Sequence, residues 1–138
     1  MSEAHHQAAL FEWARNPVIL KAYPSIDLLE GTLNGVRLTV AQSGKAKAAG
    51  MLKGVHDVRL PVARGGYFGL SIEMKFGRNK MTDEQVWYAN RLTQEGWSVH
   101  TAWDWITARD TIVWYFGLPE TPRDLKNCAR NGSITKTS

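Results

Sequence analysis

The sequence predicts an α/β fold with a small mixed β-sheet flanked by helices. Three observations lead there. Val55–Val62 and Tyr67–Lys75 alternate apolar and polar residues with the period of a strand. Thr82 and Asp104 each open a run free of glycine and proline, ending at Gly96 and Gly117 respectively, as a helix would. A short third strand, Trp97–Ala102, lies between those two helices. At 138 residues, 43% hydrophobic and 22% charged, the chain has material for one hydrophobic core.

The elements follow in order. Ser2 is a good N-cap, and the segment from Glu3 to Arg15 runs unbroken until Asn16-Pro17 stops it. On a helical wheel Glu3, Gln7, Leu10 and Ala14 fall within about 60° of one another, with Phe11 flanking them and Glu12 opposite. The expectation is a carboxylate and an amide on a core-facing stripe. From Ile19 to Gly54 the pattern is weak; it reads as a short strand or turn around Leu33–Val40, then a mobile glycine- and lysine-rich loop over Gly44–Lys53. In the first clear strand Val58, Leu60 and Val62 alternate, with Asp57 near its start, and Ala63–Gly66 signals the turn back. In the second, Phe68, Leu70, Ile72 and Met74 form one face and Gly69, Ser71, Glu73 and Lys75 the other. Phe76–Lys80 is a loop. Thr82 and Gln85 form a capping box, Met81 and Val86 a hydrophobic staple, and Gly96 supplies the residue past the helix end. In Asp104–Phe116 the expected core contacts are Ile106, Ile112, Val113 and Phe116. Residues 119–138 are polar and aperiodic and read as a disordered tail, which leaves 1–118 as the domain.

Composition excludes several classes. No apolar run reaches the roughly 18 residues of a membrane span, and the N-terminal MSEAHHQ lacks a signal peptide's apolar stretch. The single cysteine, Cys128, rules out an intrachain disulfide and any multi-cysteine metal site. The expectation is a soluble cytoplasmic protein with no membrane or disulfide partner. Gly44-Lys45 is not a Walker A loop, because Thr39 stands where its first glycine belongs and Ala46 follows the lysine. His5 and His6 are adjacent, so on a helix they point about 100° apart and cannot chelate together; both are expected at the surface. The six tryptophans are expected mostly in core or interface.

The net charge of +4 is unevenly distributed: residues 36–80 hold nine basic side chains and two acidic ones, net +7, leaving −3 elsewhere. That stretch suits a polyanionic partner, nucleic acid first. Its cations outside the strands include Lys45, Lys47, Lys53, Arg64, Arg78 and Lys80, the candidate DNA contacts. Its only acids are Asp57 and Glu73. Carboxylates are seldom buried unless paired or metal-bound, yet Glu3 stands on a helix stripe, Asp57 begins a strand, and Glu73 lies inside one beside Lys75. Clustered oxygen ligands suit Mg²⁺ or Mn²⁺, which bind phosphate oxygens and polarise a phosphodiester. A carboxylate two residues from a lysine is, by spacing alone, more often an ion pair on an exposed sheet.

The order of motifs adds more. Gly54-Val55-His56-Asp57, then Glu73-Met74-Lys75, then Thr82-Asp83-Glu84-Gln85 resembles the PD-(D/E)XK nuclease superfamily, and within it the virus-type replication-repair nuclease (VRR-NUC) family in its stand-alone phage and prophage form. Ser2-Glu3 with Gln7, Asn34-Gly35 and the stretch Leu60–Tyr67 support the resemblance, which spans residues 2–117. It implies a restriction-endonuclease-like core. Asp57 and Glu73 would be metal ligands, helped by the Met74 carbonyl, with Mg²⁺ as cofactor and Mn²⁺ able to substitute. Lys75 would be the catalytic lysine, Glu3 would position metal or water, Gln7 would support it, and Gln85 would stand near the site. Thr82 replaces the family's usual serine and keeps the capping role. His56 replaces the proline that commonly precedes this aspartate, where it is compatible with no effect, with a phosphate contact or with an altered strand entry.

The resemblance further implies a homodimeric DNA endonuclease of Holliday-junction-resolvase type, acting on branched DNA in a bacterial host cell and leaving 5′-phosphate and 3′-hydroxyl ends. Two other readings share the same residues: a non-catalytic DNA-binding module with the nuclease fold, and a general or restriction-like duplex nuclease. The Gly44–Lys53 loop would track phosphates, adding affinity rather than sequence specificity.

Overall fold

The Ser2 hydroxyl accepts the His5 N–H, and from that cap α1 runs over Glu3–Ala14. Asn16 caps α2 (Pro17–Ala22), with proline at the first helical position where its missing N–H costs nothing. The computed structural model describes residues 2–32 and 38–121. Asn34-Gly35, most of the expected Leu33–Val40 strand or turn, Arg37, Cys128 and residues 122–138 lie outside the described residues.

A 3₁₀ turn (Pro24–Leu28) leads to a two-residue strand, β1 (Glu30–Gly31). After α3 (Val40–Ala48) come β2 (Val58–Leu60), β3 (Leu70–Met74), α4 (Asp83–Gln94), β4 (Ser98–Ala102) and α5 (Trp105–Phe116). The strands form one mixed sheet in the order β1-β2-β3-β4. β2 is antiparallel to both β1 and β3, whereas β3 and β4 are parallel, as a strand–helix–strand crossover through α4 requires. The expected small mixed sheet flanked by helices is the one observed.

β3 is central and buried on both faces. Its even face (Leu70, Ile72, Met74) joins Leu10 and Ala14 of α1 and Ala108, Ile112 and Tyr115 of α5 in one core. Each fully buried aliphatic side chain there contributes about 1.5–3 kcal/mol over an exposed one. The odd face, Ser71 and Glu73, is covered from the other side by α4 and the segment entering β2. The sheet is thus sandwiched, and a polar strand face is trapped beneath α4.

Several expectations are corrected. The anticipated glycine- and lysine-rich loop contains α3, started by a capping box of Thr39 and Gln42. Since α3 buries no residue, it has no apolar stripe for periodicity to detect. Phe68 lies past the strand's buried end and is exposed, as are Ile106 and Val113 on the outer side of α5, where Ala108 and Tyr115 are buried instead. Val86 is exposed rather than stapled, and the Met81 sulfur accepts the Thr101 hydroxyl. Trp13 and Trp105 pack against the core as expected, whereas Trp87, Trp103 and Trp114 are exposed. His6 is not free at the surface, because its Nδ1 accepts the Trp105 N–H at 3.1 Å and so caps the start of α5.

The chain past α5 folds back: Gly65 donates to the Pro119 carbonyl, and Arg64 pairs with Glu120 at 3.8 Å. Arg64 was expected on the nucleic-acid face. It is instead buried, stacked over Phe116 and donating to the Ala63 carbonyl, so its charge serves packing at the sheet's far corner. Nearby, the fully buried Tyr115 hydroxyl donates to the Val62 carbonyl at 2.6 Å. Replacing Tyr115 with Phe leaves that buried carbonyl unpaired and is expected to cost about 1–2 kcal/mol. Urea melts of the two proteins measure the difference.

Candidate active site

The hairpin register builds the site. Val58 pairs with Ile72 and Arg59 with Ser71, so one step further along the same antiparallel ladder Asp57 stands opposite Glu73. Directly opposite residues share a face of the sheet, which sets two carboxylates side by side. Asp57 Oδ2 accepts the Met74 N–H at 3.0 Å, tying the side chain to the end of β3. Lys75 follows two residues after Glu73, on the same face by the strand's period, with Nζ 3.9 Å from Glu73 Oε2. Glu73 is 1% exposed and Lys75 7%.

α4 supplies the third part. Gln85 Oε1 accepts the Thr82 N–H at 2.9 Å, completing the capping box, while Nε2 donates to Glu73 Oε2 at 2.9 Å. One amide therefore starts the helix and holds a site carboxylate. Gly54 lets the chain pass close under this turn: its φ is +94°, and a Cβ there would lie 2.3 Å from the Glu84 carbonyl oxygen. Only glycine fits both constraints.

His56 replaces the expected proline with a buried bracket. A carbonyl can only accept, so His56 Nε2–H donates to the Gln85 carbonyl at 3.2 Å, which leaves Nδ1 to accept the Ser71 hydroxyl at 2.9 Å. Its ring also meets Tyr88 edge-on, with centroids 5.1 Å apart. Burial lowers its pKa, with the Lys75 charge adding to the effect, so the ring is neutral and structural. It is fully buried and so makes no phosphate contact.

A cavity of about 200 Å³ opens over these groups, lined by Glu3, Lys53, Asp57, Glu73, Lys75 and Gln85 among others. The five residues singled out for chemistry in the sequence thus face one space. Gln7 does not line it; Gln7 lies in an adjoining groove that also reaches Glu3 and Asp57. Two residues near the site were not singled out. Asn79 donates to Glu3 Oε1 at 3.4 Å, and Ser71 holds His56. The polar positions on the β3 face were the available signal for Ser71. Asn79 sits in an aperiodic loop and gave none.

Lys53 forms an ion pair with Glu84 at 3.3 Å at the cavity's edge. Lys45 and Lys47 are exposed on α3, and Arg78 and Lys80 are exposed in the loop after β3.

No family model matches the sequence, and no curated protein matches it either. A solved structure described as a VRR_NUC domain protein does match, with a TM-score of 0.73 and 25% identity, over 87% of this chain and 92% of that one. The chain shares the fold of that VRR_NUC domain protein. In this fold the motif residues lie where β2, β3 and α4 converge.

Among the described residues no three His, Cys, Asp or Glu side chains cluster closely enough to hold a metal ion by themselves. The close carboxylates are the pair Asp57 and Glu73, with Glu3 facing the same cavity. Glu73 Oε1 is buried with no hydrogen-bond partner. Burial and then the neighbouring Asp57 charge push the Glu73 carboxyl up to about 9, and burial also raises Asp57, opposed by the Met74 N–H. Without a cation the pair holds a proton that a solvated pair would release.

Between the ordinary Glu73 value of 4.5 and about 9, the folded protein retains a proton the unfolded chain has lost. Metal-free protein is therefore expected to lose stability as pH rises through that window. Glu73→Gln, neutral at every pH, should flatten the slope, which melting temperatures in EDTA across the window will read.

Proposed function

We propose that this chain is a divalent-metal-dependent endonuclease that hydrolyses phosphodiester bonds in branched DNA, as a Holliday-junction resolvase does. The observation that carries this reading is Glu73, whose carboxylate Oε1 is buried without a hydrogen-bond partner and which lines one cavity with Asp57 and Lys75. Two adjoining carboxylates are hard oxygen donors, the chemistry that Mg²⁺ or Mn²⁺ requires. Asp57 and Glu73 would hold the cation, the Met74 carbonyl would assist, and Glu3 would reach it through water. The bound cation would supply a Lewis acid against a phosphate oxygen.

The remaining roles belong to the chain. Lys75, buried to its ammonium, offsets charge on the scissile phosphate and orients the attacking water. Gln85 fixes the rotamer of Glu73 through its 2.9 Å bond. His56 in turn pins the first turn of α4 to β3 through the Gln85 carbonyl and Ser71. Water attacks phosphorus, the bond to the 3′ oxygen breaks, and that oxygen leaves as a hydroxyl, so the phosphate stays on the 5′ end. Lys53 borders the cavity, and the exposed Lys45, Lys47, Arg78 and Lys80 would add phosphate attraction; Arg64, buried elsewhere, does not.

A homodimer suits a two-fold junction, because one site per protomer then reaches each of two opposing strands. Exposed Trp87 on α4 and Trp114 on α5 are residues of the type enriched in interfaces. Light scattering on the purified chain is expected to give twice 15.5 kDa; a monomer at micromolar concentration would remove the dimer from the proposal.

With Mg²⁺ or Mn²⁺ the protein is expected to nick a mobile four-way junction symmetrically and to cut plain duplex poorly. Lys75→Ala should slow cleavage by roughly 10²–10⁴-fold while junction binding persists. Binding without cleavage by the wild type, under either metal, identifies a DNA-binding module instead. Equal cutting of duplex identifies a general nuclease.

A further inference from the structure

α1 presents more than one acid to the site. Glu3, Gln7, Phe11 and Arg15 recur every fourth residue, and with Ala4 and Ala8 they form one wall of a groove of about 810 Å³. The groove is separate from the 200 Å³ cavity but shares Glu3 and Asp57 with it, so whatever fills the groove enters the proposed cleavage site at one end. Across from α1 stand Gly31, Thr32, Asn79 and Phe76. Gly31 approaches α1 closely, since a Cβ would lie 2.9 Å from Gln7 Nε2 and 3.5 Å from the Phe11 ring.

Three features indicate the occupant. Phe76 is 44% exposed, directly follows Lys75 and lines the groove. A phenyl ring left in water at that point offers a face to a planar partner. At the far end the Arg15 guanidinium lies over the Phe11 ring at 5.3 Å, which holds its plane while its donors remain available to an anion. From Glu3 to Arg15 α1 rises about 18 Å, room for several nucleotides of one strand. Bases in a duplex stack on one another and offer only their edges in the grooves, so an aromatic wall beside the cut suits an unpaired base.

We infer that the α1 groove binds a single, unpaired DNA strand leading away from the scissile phosphate, with Phe76 stacking on a base beside the cut and Arg15 holding a phosphate further along. This rests on the nuclease reading above and deepens it. The proposed enzyme would select branched DNA because only a strand parted from its partner can enter the groove. Phe76 and Arg15 are then specificity residues, outside the group that performs the hydrolysis.

The test uses the full chain in EDTA, where no cutting occurs, and the fluorescence anisotropy of a short labelled oligothymidine against a blunt duplex of equal length. The wild type is expected to bind the single strand more tightly. Phe76→Ala should weaken single-strand binding at least about fivefold, the lower end for loss of one stacked base, with duplex binding unchanged. Phe11→Leu keeps the apolar volume where Phe11 meets the core and should weaken it less, while Arg15→Gln should weaken it and reduce its salt dependence. Lys21→Gln, an exposed cation on α2 outside the groove, should change neither. The inference is overturned if the wild type prefers duplex, or if Phe76→Ala and Arg15→Gln leave single-strand binding intact or weaken both DNAs equally. A parallel assay of junction cleavage by the wild type with Mg²⁺ separates this failure from failure of the nuclease reading.

Discussion

Asp57 and Glu73 stand opposite each other on neighbouring antiparallel strands, under a helix and out of water. Two like charges in that position are unfavourable, and the Met74 N–H and the Lys75 charge offset this only in part. Much of the surrounding structure is arranged to hold the pair in place. The Met74 N–H fixes Asp57, the Gln85 amide fixes Glu73, and Lys75 brings the only cation whose side chain is buried beside them among the described residues. Removing water raises the energy of both carboxylates, and Oε1 of Glu73, a residue lining the cavity, is buried without a hydrogen-bond partner. A fold stabilised only by packing would gain by replacing the pair. The pair sits in the most buried strand and, without a cation, keeps a proton.

The bracket behind the pair is equally specific. Gln85 serves two purposes with one side chain, so the start of α4 and the orientation of Glu73 cannot vary independently. His56 repeats the coupling one layer deeper, joining the carbonyl of that same glutamine to Ser71 on β3. Gly54 permits the close approach that makes this geometry reachable. Where the family resemblance leads one to expect proline, a rigid residue with no donor, this chain has a histidine whose two ring nitrogens each make a bond. Strand entry is held by hydrogen bonds in place of ring stiffness.

α1 connects this buried centre to the surface. Its inner side places Leu10 and Ala14 in the core, and the neighbouring side carries Glu3, Gln7, Phe11 and Arg15 along the groove. The wheel grouped Glu3 and Gln7 with Leu10 and Ala14, because within one helical face the angular difference is small. The observed division separates core from groove within that stripe. The carboxylate and the amide thus need no burial, and they border an open channel instead.

Strand period, capping boxes and the order of motifs are local properties, so they were legible directly: β2, β3, α4 and α5, the Thr82–Gln85 cap, and the grouping of Glu3, Asp57, Glu73, Lys75 and Gln85 as one chemical set. Other features depend on what packs against what. α3 has no buried face and is held by its caps, so it left no period to read. Arg64 belongs by composition to the basic stretch, but the fold buries it against Phe116 and Glu120. The exposure of Ile106, Val113, Trp87 and Trp114 follows from which side of each helix the sheet occupies, and hydrophobicity alone does not specify that side. The sequence by itself determined which residues are candidates for chemistry, because residue type and the order of motifs are written in it. Only the tertiary structure decided that Asp57 faces Glu73, that His56 braces Gln85, and that a groove leads along α1 to the site. Each of these is a contact between segments whose register and approach are settled by burial of the common core.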